Sequence, residues 1–77
     1  NHVVASEELL STCRALLAKI YSRSAVAIAH AIAAVNEGLR NPENGYKKEI
    51  ELFGASFATA EAKEGIQAFI EKRKPKF

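Results

Sequence analysis

Apolar positions in the first part of the chain fall three and four residues apart. Leu9, Leu10, Cys13, Leu16, Leu17 and Ile20 make one stripe, and Arg14 and Lys19 take the other side. This is the repeat of an amphipathic helix, and it predicts one over roughly Glu7–Tyr21. Ser6 stands where an N-cap belongs. Glu7 and Glu8 fall in the first turn, where the helix dipole favours negative charge. Before them, Asn1 to Ala5 read as the stub of an upstream connection. A second segment, Ala25 to about Arg40, has a different pattern. From Ala25 to Val35 every position except His30 is apolar. A helix apolar on all faces is buried on all faces, and four short helices do not enclose one of their own number. The pattern therefore predicts that this helix meets a further body or a partner subunit. Ser24 is its expected N-cap, and Gly38 and Asn41-Pro42 close it.

A third helix begins at Pro42. Tyr46, Ile50, Phe53 and Phe57 recur at four, three and four, which is one helical face. Lys47, Lys48, Glu49 and Glu51 cover the other side, with Lys47 and Glu51 at pairing distance along the helix. Thr59 is the natural N-cap of a fourth helix, whose face is Ala62, Ile66, Phe69 and the stem of Arg73. Pro75 is expected to end it, because the residue before a proline leaves helical geometry. Gly54 and Gly65 interrupt helical propensity, and each suggests close approach of a neighbour. The fold class read from the pattern is all-α, an array of about four helices in a single domain, residues 1–77.

Composition narrows the picture. Seventy-seven residues, 48% of them hydrophobic, allow a globular core but leave little room for a pocket. The high apolar share suggests that part of the chain packs on something else. The sequence starts at Asn1 and holds no methionine, which reads as a fragment of a longer protein. No apolar stretch approaches the ~20 residues that span a bilayer, so no membrane partner is expected. Cys13 is the single cysteine and sits among leucines, so a buried structural thiol is the expectation. Net charge is only +2, with the excess gathered in Lys72, Arg73, Lys74 and Lys76. A broad basic field is missing, and nucleic acid is not an indicated partner.

Candidate chemistry is sparse. His2 and His30 have no metal-ligand spacing with Cys, His or carboxylates, so no metal is expected. Glu61, Glu64 and Glu71 read as a solvated helix face rather than an acid–base pair. Gly38, Gly45, Gly54 and Gly65 are dispersed and form no phosphate loop. The basic end has two readings. One is a solvated helix C-terminus whose cations suit the dipole. The other is a contact to an anionic, nucleotide-like ligand.

Several residue runs carry a resemblance. They are Glu51-Leu52-Phe53, Phe57-Ala58-Thr59, Lys63-Glu64-Gly65, and Phe69-Ile70-Glu71-Lys72-Arg73-Lys74-Pro75-Lys76-Phe77. Together they resemble the C-terminal end of enoyl-CoA hydratases of the crotonase superfamily. Val4 to Leu39 is similar to that family's preceding helical pair, with Ala25 where many relatives carry proline. The resemblance implies a helical C-terminal part without the upstream ββα spiral that bears the catalytic glutamates and oxyanion donors. It implies no catalytic residue in this chain, oligomer contacts in a trimer or dimer of trimers, and partial cover of a CoA site. By the same resemblance, Phe69 lies near bound CoA and Lys72 contacts its phosphates from the neighbouring subunit. The CoA thioester is then substrate, and no cofactor is implied. The expected partners are that thioester, the spiral domain and further copies of the chain. The implied location is the bacterial cytoplasm or, second, the mitochondrial matrix. The sequence does not separate hydratase from isomerase, dehydratase or hydrolase relatives. A stand-alone helical interaction module is the competing reading.

Overall fold

Asn41 ends one helix and starts the next. It is extended (φ −150°, ψ 104°), and its side-chain oxygen accepts hydrogen bonds from Glu43 N at 3.2 Å and Asn44 N at 3.4 Å. Pro42 follows at the first helical position, where its missing N–H costs nothing. The result is a helical hairpin with a one-residue joint. In the computed structural model, which describes residues 1–77, a 3-10 turn at Ser6–Glu8 leads into α1 (Leu9–Tyr21). Then come α2 (Ala25–Arg40), α3 (Pro42–Phe57) and α4 (Ala60–Ile70), with no strand. The four helices and the all-α class follow the sequence pattern closely.

The hairpin is where packing is tightest. Gly45, in the first turns of α3, lies against Gly38 near the end of α2. A Cβ added to Gly45 would stand 2.6 Å from the Gly38 Cα, closer than atoms tolerate. The sequence pattern points to Gly54 and Gly65 for close approach instead. Nothing lies within 4 Å of a Cβ placed on Gly54, and Gly65 meets only the ring of Phe77 at 3.9 Å. Farther along the hairpin, Ser56 donates its hydroxyl to Leu52 O at 2.8 Å. Its oxygen then accepts from His30 Nδ1 at 2.7 Å, so His30 pins α2 to α3. This matches the expectation of a packed imidazole.

Two caps work as the sequence suggests. Ser24 Oγ accepts from Ala27 N at 3.0 Å, and Thr59 Oγ1 accepts from Ala62 N at 3.1 Å. Ser6 makes no cap; it opens the 3-10 turn, with Ala5 O accepting from Glu8 N. The pair at the outer side of α3 is Lys48–Glu51 at 4.0 Å, not Lys47–Glu51. Being exposed, it adds little to stability.

The helices spread out as a single layer. The molecule measures 44 × 38 × 14 Å, and the short dimension is about one helix diameter. Helices α1 and α2 meet at 100°. The radius of gyration is 16.0 Å, against about 11–12 Å for a compact chain of this length. The accessible surface is 6619 Å², where a compact monomer of this mass exposes about 4,600 Å². Only Gly45 and Ala68 are buried.

Consequently the predicted faces exist but none of them is buried within the chain. Tyr46, Ile50, Phe53 and Phe57, the apolar face that the spacing predicts, are all exposed. The reason is geometric: α3 turns Gly45, Leu52 and Ser56 towards α2 and leaves its aromatic face open. Cys13 is exposed rather than buried, because α1 buries no residue at all. The chain itself does not cover the apolar α2. No residue of α2 is buried, and Ile32, Val35 and Leu39 stand open. No single helix is long and apolar enough to cross a membrane.

Candidate functional site

Helix α4 ends in a left-handed turn. Arg73 N donates to Ala68 O at 3.0 Å and Lys72 N to Phe69 O at 3.3 Å. These are the paired bonds of a Schellman cap, which normally places glycine at the left-handed position. Here that position is Lys72, with φ 53°. A non-glycine residue there costs about 1–2 kcal/mol, so the turn needs support from elsewhere. It also corrects the role of Pro75: the helix stops at Ile70, and the cap rather than the proline stops it.

The support is ionic. Arg73 donates through Nη1 and Nη2 to Glu64 Oε1 and Oε2, at 2.6 and 3.2 Å. Its Nε donates to Glu71, which also accepts from Gln67 Nε2. Glu64 further accepts the backbone N–H of Lys76 at 2.8 Å. The guanidinium of Arg73, helped by that N–H, lowers the Glu64 carboxyl to a pKa of about 2. Gln67 and Arg73 hold Glu71 below its ordinary value. The two carboxylates in turn raise Arg73. None of the three glutamates is merely a solvated charge, as the sequence suggested. Glu61 accepts from Ser24 Oγ, and from Val26 N at 3.4 Å, so it sits at the positive end of α2.

This arrangement sorts the basic end. Arg73 is bound up in the fold, whereas Lys72, Lys74 and Lys76 have no carboxylate partner. Phe69 is 83% exposed, one turn before Lys72 and joined to it by the backbone bond of the cap. The two residues singled out from sequence thus lie three positions apart at the exposed end of α4, linked through the backbone. Beside it, Tyr21, Ser22 and Arg23 face Lys74, Pro75 and Phe77 across an open cleft of about 470 Å³. Arg23 was not foreseen at this place, because nothing in its local sequence links it to the tail. The chemistry open to this corner is recognition of an anion beside an apolar surface. No group of three or more His, Cys, Asp or Glu side chains is placed to hold a metal ion.

A second feature is an open groove along the α2–α3 hairpin, about 610 Å³, lined by Ala31, Val35, Tyr46, Phe53 and His30 among others. Its walls are largely apolar and carry no paired carboxylates.

Comparison with known proteins identifies the family. The family model for enoyl-CoA hydratase/isomerase matches residues 1–77. A crotonyl-CoA hydratase of Syntrophomonas wolfei is 40% identical over 78 aligned positions, covering 100% of this chain and 30% of the relative. A short-chain-enoyl-CoA hydratase of Clostridium acetobutylicum is 37% identical, covering 96% of this chain and 29% of the relative. Among solved structures, a probable enoyl-CoA hydratase/isomerase from Mycobacterium abscessus superposes with a TM-score of 0.85 at 34% identity. That likeness covers 99% of this chain and 31% of the solved one. The chain thus spans about three tenths of the length of the relatives it matches. The family model over its whole length, with these relatives, places the chain in the enoyl-CoA hydratase/isomerase family.

Proposed function

We propose that this chain is the C-terminal helical part of an enoyl-CoA hydratase, an enzyme that adds water across the double bond of 2-enoyl-CoA thioesters in fatty-acid metabolism. In this reading it contributes oligomer contacts and one edge of the CoA site, and performs none of the chemistry. Phe69 lies against the bound CoA and Lys72 meets its phosphates, both across a subunit boundary. The assembly is a trimer or a dimer of trimers, and the α1, α2 and α3 faces pack on the upstream spiral domain and on neighbouring copies. The location that goes with this reading is the cytoplasm.

The observation that carries the proposal is the conjunction at the end of α4. An apolar ring that is 83% exposed stands one turn from a lysine without a carboxylate partner, in a family whose named relatives act on CoA thioesters. The open layer supports the oligomer part. Its surface exceeds that of a compact monomer by about 2,000 Å², the scale of a stable protein interface. The absence of catalysis from this segment is supported by the engagement of Glu61, Glu64 and Glu71 in structural hydrogen bonds. Acid–base work needs a carboxyl free to exchange its proton with substrate.

The test is Lys72→Ala in the intact enzyme that carries this segment. Loss of one exposed charge contact is expected to raise the KM for a CoA thioester about fivefold, with kcat largely kept, because the contact is uniform between substrate and transition state. An unchanged KM would remove the phosphate role of Lys72.

A further inference from the structure

The tail holds two kinds of basic residue, and one carboxylate separates them. Glu64 reaches both sides of Pro75: it pairs with Arg73 before it and accepts the Lys76 N–H after it. Arg73 Nη1 also lies 3.3 Å from Lys74 O. Residues 73–76 are thereby closed into a loop against α4. Lys72 directly precedes that loop, in the left-handed conformation, φ 53°. Phe77 completes the closure, with its ring against Gly65. Lysine does not choose this backbone unaided; the cap bonds of Lys72 N and Arg73 N form the turn, and the ion pairs of Arg73 and the Lys76 bond hold the chain that follows it. The side chains of Glu64 and Arg73 are 26% and 36% exposed, so the pair is partly sheltered from competing water.

We propose that Glu64 is a positioning residue for the CoA-phosphate contact: through Arg73 and the Lys76 amide it holds the turn that presents Lys72. The inference rests on the reading of Lys72 given above. Its content is that an acidic residue promotes anion binding. Simple electrostatics gives the opposite sign. Removing a carboxylate from a basic cluster makes the cluster more positive and should tighten an anion. A positioning role means that the same removal weakens it, because the ordered turn is lost.

The experiment compares Lys72→Ala, Glu64→Gln and Arg73→Lys in the intact enzyme, reading KM and kcat for a CoA thioester and the inhibition constant of free CoA. Arg73→Lys keeps the net charge but cannot bridge two carboxylates in fork geometry. It also serves if Glu64→Gln fails to fold. Hydrogen exchange at the Arg73 and Lys76 amides reports whether the turn has opened. The expected result is a KM and a CoA inhibition constant raised about fivefold in all three variants. The kcat stays near that of the parent, and exchange is faster in the Glu64 and Arg73 variants alone. If Lys72→Ala weakens CoA but Glu64→Gln and Arg73→Lys leave it unchanged or tighten it, the positioning role is overturned and the Lys72 contact stands. If Lys72→Ala changes nothing, the contact falls and the positioning role falls with it.

Discussion

The α2–α3 joint and the turn after α4 are both sharp, but they are held in opposite ways. At the joint, two backbones touch through Gly38 and Gly45, and the one side chain that shapes the turn, Asn41, only caps α3. At the turn, the backbone is strained at Lys72 and side chains restrain it through Glu64, Arg73 and Glu71. A backbone contact has nothing that can move aside. An ion-pair clamp can loosen by degrees, with pH or substitution. The joint therefore sets the shape of the molecule, and the turn sets what one corner of it presents.

The largest effect is expected at the joint. Gly45→Ala forces a methyl to within 2.6 Å of the Gly38 Cα, and overpacking of this kind costs about 1–3 kcal/mol. Thermal unfolding followed by circular dichroism should show it as a lowered Tm. An unchanged Tm would mean that the hairpin is looser than described.

The turn should respond in the other direction. Lys72→Gly removes the left-handed strain and is expected to stabilise by about 1 kcal/mol. If Lys72 meets the CoA phosphates as proposed, the same change in the intact enzyme should weaken CoA, since the ammonium goes with the side chain. Stability and binding moving together would contradict the assignment of strain to Lys72. The start of α2 gives an effect of similar size. Ser24→Ala removes the cap on Ala27 N and the partner of Glu61, and cap loss alone costs about 1 kcal/mol.

Gly54 is the control for Gly45. A Cβ there meets nothing within 4 Å, so Gly54→Ala should stabilise α3 by about 0.5–1 kcal/mol. This holds only while that face of α3 is uncovered; a loss in the intact enzyme would place a neighbour against it.

The smallest and most local effect is that of pH. Glu64 has a folded pKa of about 2, below its ordinary 4.5. The clamp it makes is complete above the higher value, weakens as pH falls, and is lost as pH passes the lower. Amide exchange at Lys76 should therefore stay slow at neutral pH and accelerate between about pH 4.5 and 2. The Gly38–Gly45 contact is made by backbone atoms alone, although the Glu37–Arg40 pair and Glu43 flank it, and it should change less in that window. Simultaneous opening of both would show that the turn and the joint unfold as one unit.

Much of the architecture was legible in the sequence, because helical period, caps and Asn-Pro punctuation are local signals. The spacing of Leu9 to Ile20, the cap at Ser24 and the cap at Thr59 each specify a helix without reference to the rest of the chain. What each face meets was not legible. Tyr46, Ile50, Phe53 and Phe57 form the face that was read from sequence, but the face touching α2 carries Gly45, Leu52 and Ser56. Small residues mark close contact only once the partner helix is placed. The Gly38–Gly45 approach depends on the one-residue joint at Asn41, and dispersed glycines do not announce which pair will meet. At the candidate site, Phe69 and Lys72 were found through family likeness, whereas the clamp of Glu64 on Arg73 spans nine residues and follows no helical spacing. Its only sequence trace is an acidic residue upstream of a basic run that stops a helix without glycine.

The central claim is that the open faces of this layer belong to an interface. Sedimentation velocity of the 77-residue chain over a range of concentrations tests it most directly. The account predicts concentration-dependent self-association, driven by Leu39, Ile50, Phe53 and the other exposed apolar side chains. A monomer that stays monodisperse and compact at every concentration, with full helicity and cooperative melting, would contradict it.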